Sequence, residues 1–403
     1  MGGVGAEARE AGAARAAGRP LRLLFAAGGS GGHIYPALAM ARAAQEALPV
    51  ADVLFVGARG GMEERLVPAA GFPLVSLAVR GIVRKRLREA LAAGWLLGGA
   101  VWAALRLVRR FRPDVVVGTG GYAAGPVGFA ALLCGVPLVL QEQNAVPGVT
   151  NRLLALRAAV VAVPFPEAVA ALPRGTRTLV CGNPVRPELL GIEAAAARRR
   201  LGLPPAGRVV LMVAGSKGSA VFARLFAGLL PHPLDATLLF VSGRDHAASA
   251  QGALPGGGTA PPGRGRVVVV PYVERMGDAL AAADLVVCRS GALTLAEIAL
   301  VGKPSILIPS PHVTHHHQEA NAAAFARAGA ALVLPERGLD GAALAKEISA
   351  LLGDAPRRQA MAAAARRQAQ PDALARLVAA VGEVARVRSP GTAPPPALGP
   401  RGG

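Results

Sequence analysis

Short apolar runs that end in glycine-rich turns recur along this chain, and they constrain its fold more than any other feature. Leu21–Ala27 is such a run, followed by GGSGG at 28–32 and a helical stretch from about Pro36 to Leu48. Val53–Val56, Val115–Val117 and Leu138–Leu140 continue the series. The pattern restarts at Val209–Val213, with AGSKGS at 214–219 behind it, and runs on through Leu238–Val241, Val267–Val270, Leu285–Val287 and Ile306–Ile308. A strand covered on both faces must be apolar throughout, as in a parallel sheet flanked by helices. Strands alternating with helical stretches therefore predict β-α-β units, and the restart predicts an α/β fold of two Rossmann-like domains facing across a cleft.

Length agrees, since 403 residues suffice for two domains of ~100–200 residues each. The predicted boundaries are a first domain over 20–183, a second over 184–370 and a closing helix over 371–388. Pro/Gly-rich hinge segments are expected near Gly182–Pro187 and Leu201–Gly207. Helical stretches near Ala355–Gln370 and Pro371–Ala385 end the fold. Residues 1–19 lack the apolar core of a signal peptide and read, like 389–403, as disordered extensions.

In doubly wound sheets ligands bind beyond the carboxyl ends of the strands. Glycine-rich turns at 28–32, 118–121 and 214–218 occupy such ends and offer backbone N–H groups to phosphate. The first is a poor dinucleotide fingerprint. Its glycine spacing differs from GxGxxG, and Asp52 precedes its strand instead of ending it. No cofactor is expected. His33, closing the loop, is either a cap or core histidine or a neutral imidazole that takes a proton near neutral pH.

Other stretches carry polar chemistry. In QEQNAVPGVTNR (141–152) a polar cluster ends an apolar strand, with Glu142 as a base or orienter and Asn144 as a sugar or phosphate contact. In CRSGALTLAEIA (288–299), Ser290 and Gly291 open a helix, and Thr294 and Glu297 share one face. Diphosphate at that N-terminus and ribose on the carboxylate would make a nucleotide grip. The histidines of PHVTHHHQEAN (311–321) point in different directions and include no HExxH, so no metal site is expected. Gln318 and Asn321, at helical spacing, suit amide contacts to a sugar.

Forty-four Lys and Arg against 25 acids give a net charge of +19, which favours a polyanionic partner. With only 4% aromatics and no finger or RNA-recognition signature, nucleic acid is excluded in favour of phosphate or membrane. Arg84, Lys85, Arg86 and Arg88 precede a stretch with Trp95 and Trp102, and Arg106, Arg109 and Arg110 follow it. This is a helix lying on an anionic bilayer, or two domain helices with a basic edge. Ala90–Leu105 is uncharged but shorter than the ~20 residues a spanning helix needs. Cys134, Cys181 and Cys288 form no CxxC pair, which fits a reducing cytosol.

GGSGGHIYPA, GTGGYAAGP, EQNAVPGVTN, GNPVR, the GS at 215–216, CRSGALTLAE and HHHQEAN follow one another in an order that resembles the MurG family of peptidoglycan GlcNAc transferases. The resemblance implies the GT-B architecture and inverting transfer of GlcNAc from UDP-GlcNAc to the MurNAc 4-hydroxyl of undecaprenyl-diphospho-MurNAc-pentapeptide. It also implies a peripheral position on the cytoplasmic face of the cell membrane. By the same resemblance the donor site comprises Ser30, Gly31, Gly32, Asn144, Arg186, Ser216, Val273, Ala292, Leu293, Thr294, Leu295, Ala296, Glu297 and Gln318. Glu297 would accept ribose hydroxyls and Gln318 would contact GlcNAc, with His33 as first choice of base and Glu142 as second. Two departures stand out: Gln141 where the family often has His, and SKGS at 216–219 where it has SQGA. A UDP-sugar glycolipid synthase and a non-catalytic nucleotide-sugar-binding protein are the alternatives.

Overall fold

The computed structural model describes residues 20–79, 87–185, 187–215, 218–254, 266–313 and 316–387. It contains two wholly parallel sheets. The first has strands β1 (Leu21–Ala27), β2 (Val50–Ala58), β3 (Leu74–Leu77), β4 (Val115–Gly120), β5 (Leu138–Gln141), β6 (Val160–Val163) and β7 (Thr178–Val180), in the order 3-2-1-4-5-6-7. The second has β8 (Val209–Val213), β9 (Thr237–Val241), β10 (Val267–Val270), β11 (Leu285–Cys288), β12 (Ser305–Leu307) and β13 (Ala331–Val333), in the order 10-9-8-11-12-13. The two-domain α/β architecture read from the sequence is therefore present. Strands β3, β6, β7 and β13 were not anticipated.

Alternation explains the layering. Along β1, Leu23 and Phe25 enter one helix-covered face while Leu24 and Ala26 enter the other, all at 0% exposure. Phe25 stacks on Phe55 of β2 with centroids 5.2 Å apart. Such offset aromatic pairs add about 0.5–1.5 kcal/mol to their burial.

Strand order reverses direction at β1/β4 in the first sheet and at β8/β11 in the second. Each reversal opens a crevice at the carboxyl ends of the strands, where the glycine turns lie. The first turn is shorter than its sequence suggests. The helix Gly31–Ala47 starts inside it, so Gly31, Gly32 and His33 form the first helical turn rather than a loop. Pro36, the sixth residue of this helix, lacks the N–H that would otherwise reach Gly32 O, so one intrahelical bond is missing there.

Two segments connect the domains, and they cross at Gly182. Its φ is +84°, and a Cβ there would stand 2.5 Å from Gln370 Cβ, so only glycine lets the second segment pass. The Leu201–Gly207 turn is not a hinge. It packs Leu203 into the core of the second domain. After the second crossing, the helix Ala373–Val387 returns to the first domain and buries Leu377, Val378, Val381 and Val384 in the core against the helix Gly31–Ala47 and β4. Arg376 secures it by donating to Val180 O at 2.8 Å.

The basic segment ahead of Trp95 falls largely outside the described residues, with Arg84, Lys85 and Arg86. Trp95 and Trp102 both lie on a single helix, Leu87–Phe111. Among the described residues, no helix is long and apolar enough to cross a membrane.

Candidate active site

The turn after β1 and the turn after β4 interlock. A Cβ on Gly121, whose φ is +82°, would fall 1.9 Å from Gly28 O, so the two backbones touch where only glycine fits. Glu63, 0% exposed, supports the first turn from behind by accepting from Ala58 N at 2.6 Å and Gly29 N at 3.4 Å. Nothing in the sequence pattern singles out this carboxylate. Ser30 caps the helix by position only. Its side chain makes no capping bond, and its carbonyl accepts from His33 N and Ile34 N. Ser30 and Gly32 are exposed, with Gly31 between them half-buried.

His33 stands at the edge of this turn, half-buried. Its Nδ1 lies 2.9 Å from Thr119 O and 2.9 Å from Gln143 Oε1. A backbone carbonyl can only accept, so Nδ1 carries the proton and the lone pair resides on Nε2. Thr119 Oγ1 donates to His33 O at 2.8 Å and ties the helix start to β4.

Glu142 is not placed to act as a base. It is 2% exposed, and both carboxylate oxygens are occupied. Oε1 accepts from Gln143 N, Asn144 N and Asn144 Nδ2 at 2.9, 2.9 and 3.2 Å. Oε2 accepts from Gly148 N at 3.0 Å and Asn151 Nδ2 at 2.8 Å. With its lone pairs directed into the 143–151 loop, this carboxylate organises backbone.

Asn144 and Asn321 join the domains. Asn321, 0% exposed, accepts from Ala145 N at 2.9 Å and donates to Asn144 Oδ1 and to Ser290 O, both at 3.2 Å. The sugar-contact expectation for Asn321 is thus replaced by an interdomain clasp in this arrangement, because every polar atom of its amide is engaged.

Across the cleft, the helix Ala292–Val301 begins at Gly291 directly after β11. Ala292 is buried, Leu293, Thr294, Ala296 and Glu297 are half-buried, and Leu295 is at 0% exposure in the core. The Leu295 side chain therefore cannot meet a ligand. Ser290 is also fully buried, its hydroxyl donating to Gln318 O at 2.7 Å. Gln318 Oε1 accepts from Ser310 N at 2.9 Å, which leaves the amide NH2 as the end able to donate to a ligand. Val273 sits in the loop after β10 at the rim of the second core. Arg186 and Ser216 lie outside the described residues, as does Lys217.

The turn after β8 has a support that the sequence did not disclose. Arg289 pairs with Glu336, donates to Ile308 O at 3.0 Å and to Ser219 Oγ at 3.1 Å, and stacks over Phe222. Gly218, at φ +93°, would place a Cβ 2.5 Å from Ser242 O. At the end of β11, burial, with Glu297 as a lesser cause, pushes the Cys288 thiol up to about 12, so it stays protonated at neutral pH.

Residues 23–163 match the glycosyltransferase family 28 N-terminal domain, and 209–377 match its C-terminal domain. A relative from Moorella thermoacetica is 43% identical over 362 residues, covering 89% of this chain and 97% of the relative. One from Symbiobacterium thermophilum is 44% identical, covering 91% and 97%. Both are named UDP-N-acetylglucosamine--N-acetylmuramyl-(pentapeptide) pyrophosphoryl-undecaprenol N-acetylglucosamine transferase. The crystal structure of Acinetobacter baumannii MurG superposes with a TM-score of 0.73 at 30% identity, covering 90% of this chain and all of that one. The chain belongs to the MurG family. It is accordingly a glycosyltransferase of the GT-B architecture.

Proposed function

We propose that the protein transfers GlcNAc from UDP-GlcNAc to the MurNAc 4-hydroxyl of undecaprenyl-diphospho-MurNAc-pentapeptide, with inversion, at the cytoplasmic face of the membrane. The observation that carries the mechanism is the His33 ring, protonated on Nδ1 by its bond to Thr119 O and so basic at Nε2. Nε2 takes the proton of the 4-hydroxyl as its oxygen attacks the anomeric carbon of the donor. The bond from that carbon to the diphosphate oxygen breaks, and the electron pair leaves with UDP. One displacement inverts the centre.

The Ala292–Val301 helix directs its N-terminus at the departing diphosphate and stabilises the charge that develops there. Glu297, one turn deeper, accepts ribose hydroxyls, and the Gln318 NH2 donates to GlcNAc. On the first domain, Glu63 already occupies Gly29 N. The acceptor diphosphate is therefore assigned to N–H groups nearer Gly31, Gly32 and Gly121. Turnover of labelled UDP-GlcNAc with a lipid I analogue tests the assignment; transfer to diacylglycerol instead would overturn it. Glu297→Ala should raise the UDP-GlcNAc KM by about 10- to 100-fold, the worth of hydrogen bonds to a charged group, with kcat nearly unchanged. An unchanged KM would remove Glu297 from the donor site.

A face of the first domain supports the membrane assignment. Trp102, Phe129, Leu133, Val149, Leu153 and Leu156 are all exposed on three successive helices. Arg106, which stacks over Trp102, and Arg109, Arg110, Arg152 and Arg157 are exposed on the same elements or just beyond. Apolar groups among arginines fit an anionic bilayer. Leu153→Asp should weaken binding to phosphatidylglycerol vesicles by about 10-fold or more, as read by flotation, since a buried leucine contributes ~1.5–3 kcal/mol. Full vesicle binding by that variant would place the membrane contact elsewhere.

A further inference from the structure

Three buried carboxamides stand in line behind His33. Gln143 is 3% exposed, Gln141 0% and Asn183 3%. Asn183 Nδ2 donates to Gln143 O at 2.9 Å, and at 3.5 Å to Ala292 O of the second domain. Both are carbonyls, so Asn183 Oδ1 is turned the other way, where it accepts from Gln141 Nε2 at 3.1 Å. Gln141 Nε2 also donates to Glu142 O at 3.0 Å, and Gln141 Oε1 accepts from Gln143 Nε2. Gln143 Nε2 further donates to Thr119 O at 2.7 Å and Gln141 O at 3.0 Å.

The series has one direction. Backbone carbonyls fix the NH2 end of each amide, and flipping any of them would set acceptor against acceptor among residues at most 3% exposed. The last group in the series is Gln143 Oε1, which faces His33 Nδ1 and can only accept from it.

We propose that Gln143 is a positioning residue for the transfer reaction. Its locked amide presents an acceptor oxygen to His33 Nδ1, holds the ring as the Nδ1–H tautomer and leaves the Nε2 lone pair for the incoming hydroxyl. The proposal rests on His33 being the base. Asn183 lies on the segment joining the domains and touches the first residue of the donor-side helix. The relay therefore runs from His33 to the domain junction, while Gln143 itself is oriented by the first-domain carbonyls of Thr119 and Gln141.

The test uses full-length protein labelled with 15N-histidine, the His33 signals being assigned by their loss in His33→Gln. Two-bond proton–nitrogen spectra should show the Nδ1–H tautomer in the parent and a mixture with Nε2–H in Gln143→Leu. In Gln143→Leu, kcat should fall about 10- to 100-fold, below the full loss expected for a missing base, with UDP-GlcNAc KM unchanged. The elements packed on the His33 helix carry Arg22, Asp52, Glu63, Glu64, Arg65, Arg376, Glu383 and Arg386, the helix itself carries Tyr35, Arg42 and Glu46, and the adjoining loops carry Tyr122 and Glu142; of these, Glu63 and Glu142 are the buried carboxylates. Both carboxylates are held by backbone N–H groups and are unaltered in the variants.

The acid limb of kcat should move to lower pH in Gln143→Leu, because a partner of the imidazolium is lost. It should move to higher pH in Gln143→Glu, because a carboxylate beside Nδ1–H favours the charged ring. A merely structural role would not give opposite shifts. Should leucine not fold, as judged by its thermal transition, Gln143→Met removes the same oxygen at similar volume.

A parent-like tautomer in the apolar variant would mean that Thr119 O alone holds the ring, and would overturn the proposal. So would an unchanged kcat. Failure of the base assignment is seen separately, as turnover surviving in His33→Ala, since the tautomer spectrum does not depend on turnover.

Discussion

Replacing His33 by alanine lowers kcat by an expected ~10²–10⁴-fold, the usual contribution of a positioned general base, while the affinity for UDP-GlcNAc stays nearly unchanged. The asymmetry follows from the fold. His33 belongs to the first helical turn after β1, whereas the proposed donor grip lies on the helix that follows β11 in the other domain. Removing the imidazole also removes bonds to Thr119 O and Gln143 Oε1 but leaves Thr119 Oγ1 on the His33 backbone, so the helix start is retained. Single-turnover transfer with a lipid I analogue, together with UDP-GlcNAc titration, measures both quantities. Full turnover would exclude His33 as the base. A parallel loss of donor affinity would mean that the ring shapes the cleft instead of moving a proton.

Glu142→Ala should be the most destabilising single change at the site, by about 3–5 kcal/mol, as for a buried ionic group whose partners are left without it. The donors stranded would be Gln143 N, Asn144 N, Asn144 Nδ2, Gly148 N and Asn151 Nδ2. For a domain of this size that corresponds to a fall of roughly 6–20 °C in the melting transition. Turnover should fall with it, because the loop these donors form carries both Gln143 and the Asn144 side of the interdomain clasp. Glu142→Gln separates this role from catalysis. It keeps one acceptor oxygen and should lose stability and activity together, in part. A glutamine variant as stable as the parent yet inactive would instead make Glu142 the base.

The legible part of the site lay in its backbone. Glycine turns after apolar strands pointed to the two sheet crevices, since parallel strands buried on both faces leave only their carboxyl ends open. The short strands β3, β6, β7 and β13 escaped notice because each is only three or four residues long, too short for a periodic signal, and β3, β7 and β13 are mostly half-buried. Side-chain roles were harder. Glu142 and Asn321 carry functional groups that suit chemistry, and both are consumed by hydrogen bonds from residues close in space but, for Asn321, far along the chain. Glu63 and Arg289 left no pattern at all, because each acts on a turn remote in sequence, Glu63 from the helix after β2 and Arg289 from the end of β11.

What the sequence determined by itself was therefore the two-domain parallel architecture, the location of the cleft and the family. All three come from local periodicity and from short motifs whose backbone conformation is dictated by glycine. Which nitrogen of His33 is basic, which carboxylate is structural and how the domains are clasped were decided only by tertiary structure. Protonation state and hydrogen-bond capacity depend on partners that the fold delivers from distant strands, and a buried polar group has no role until those partners are in place.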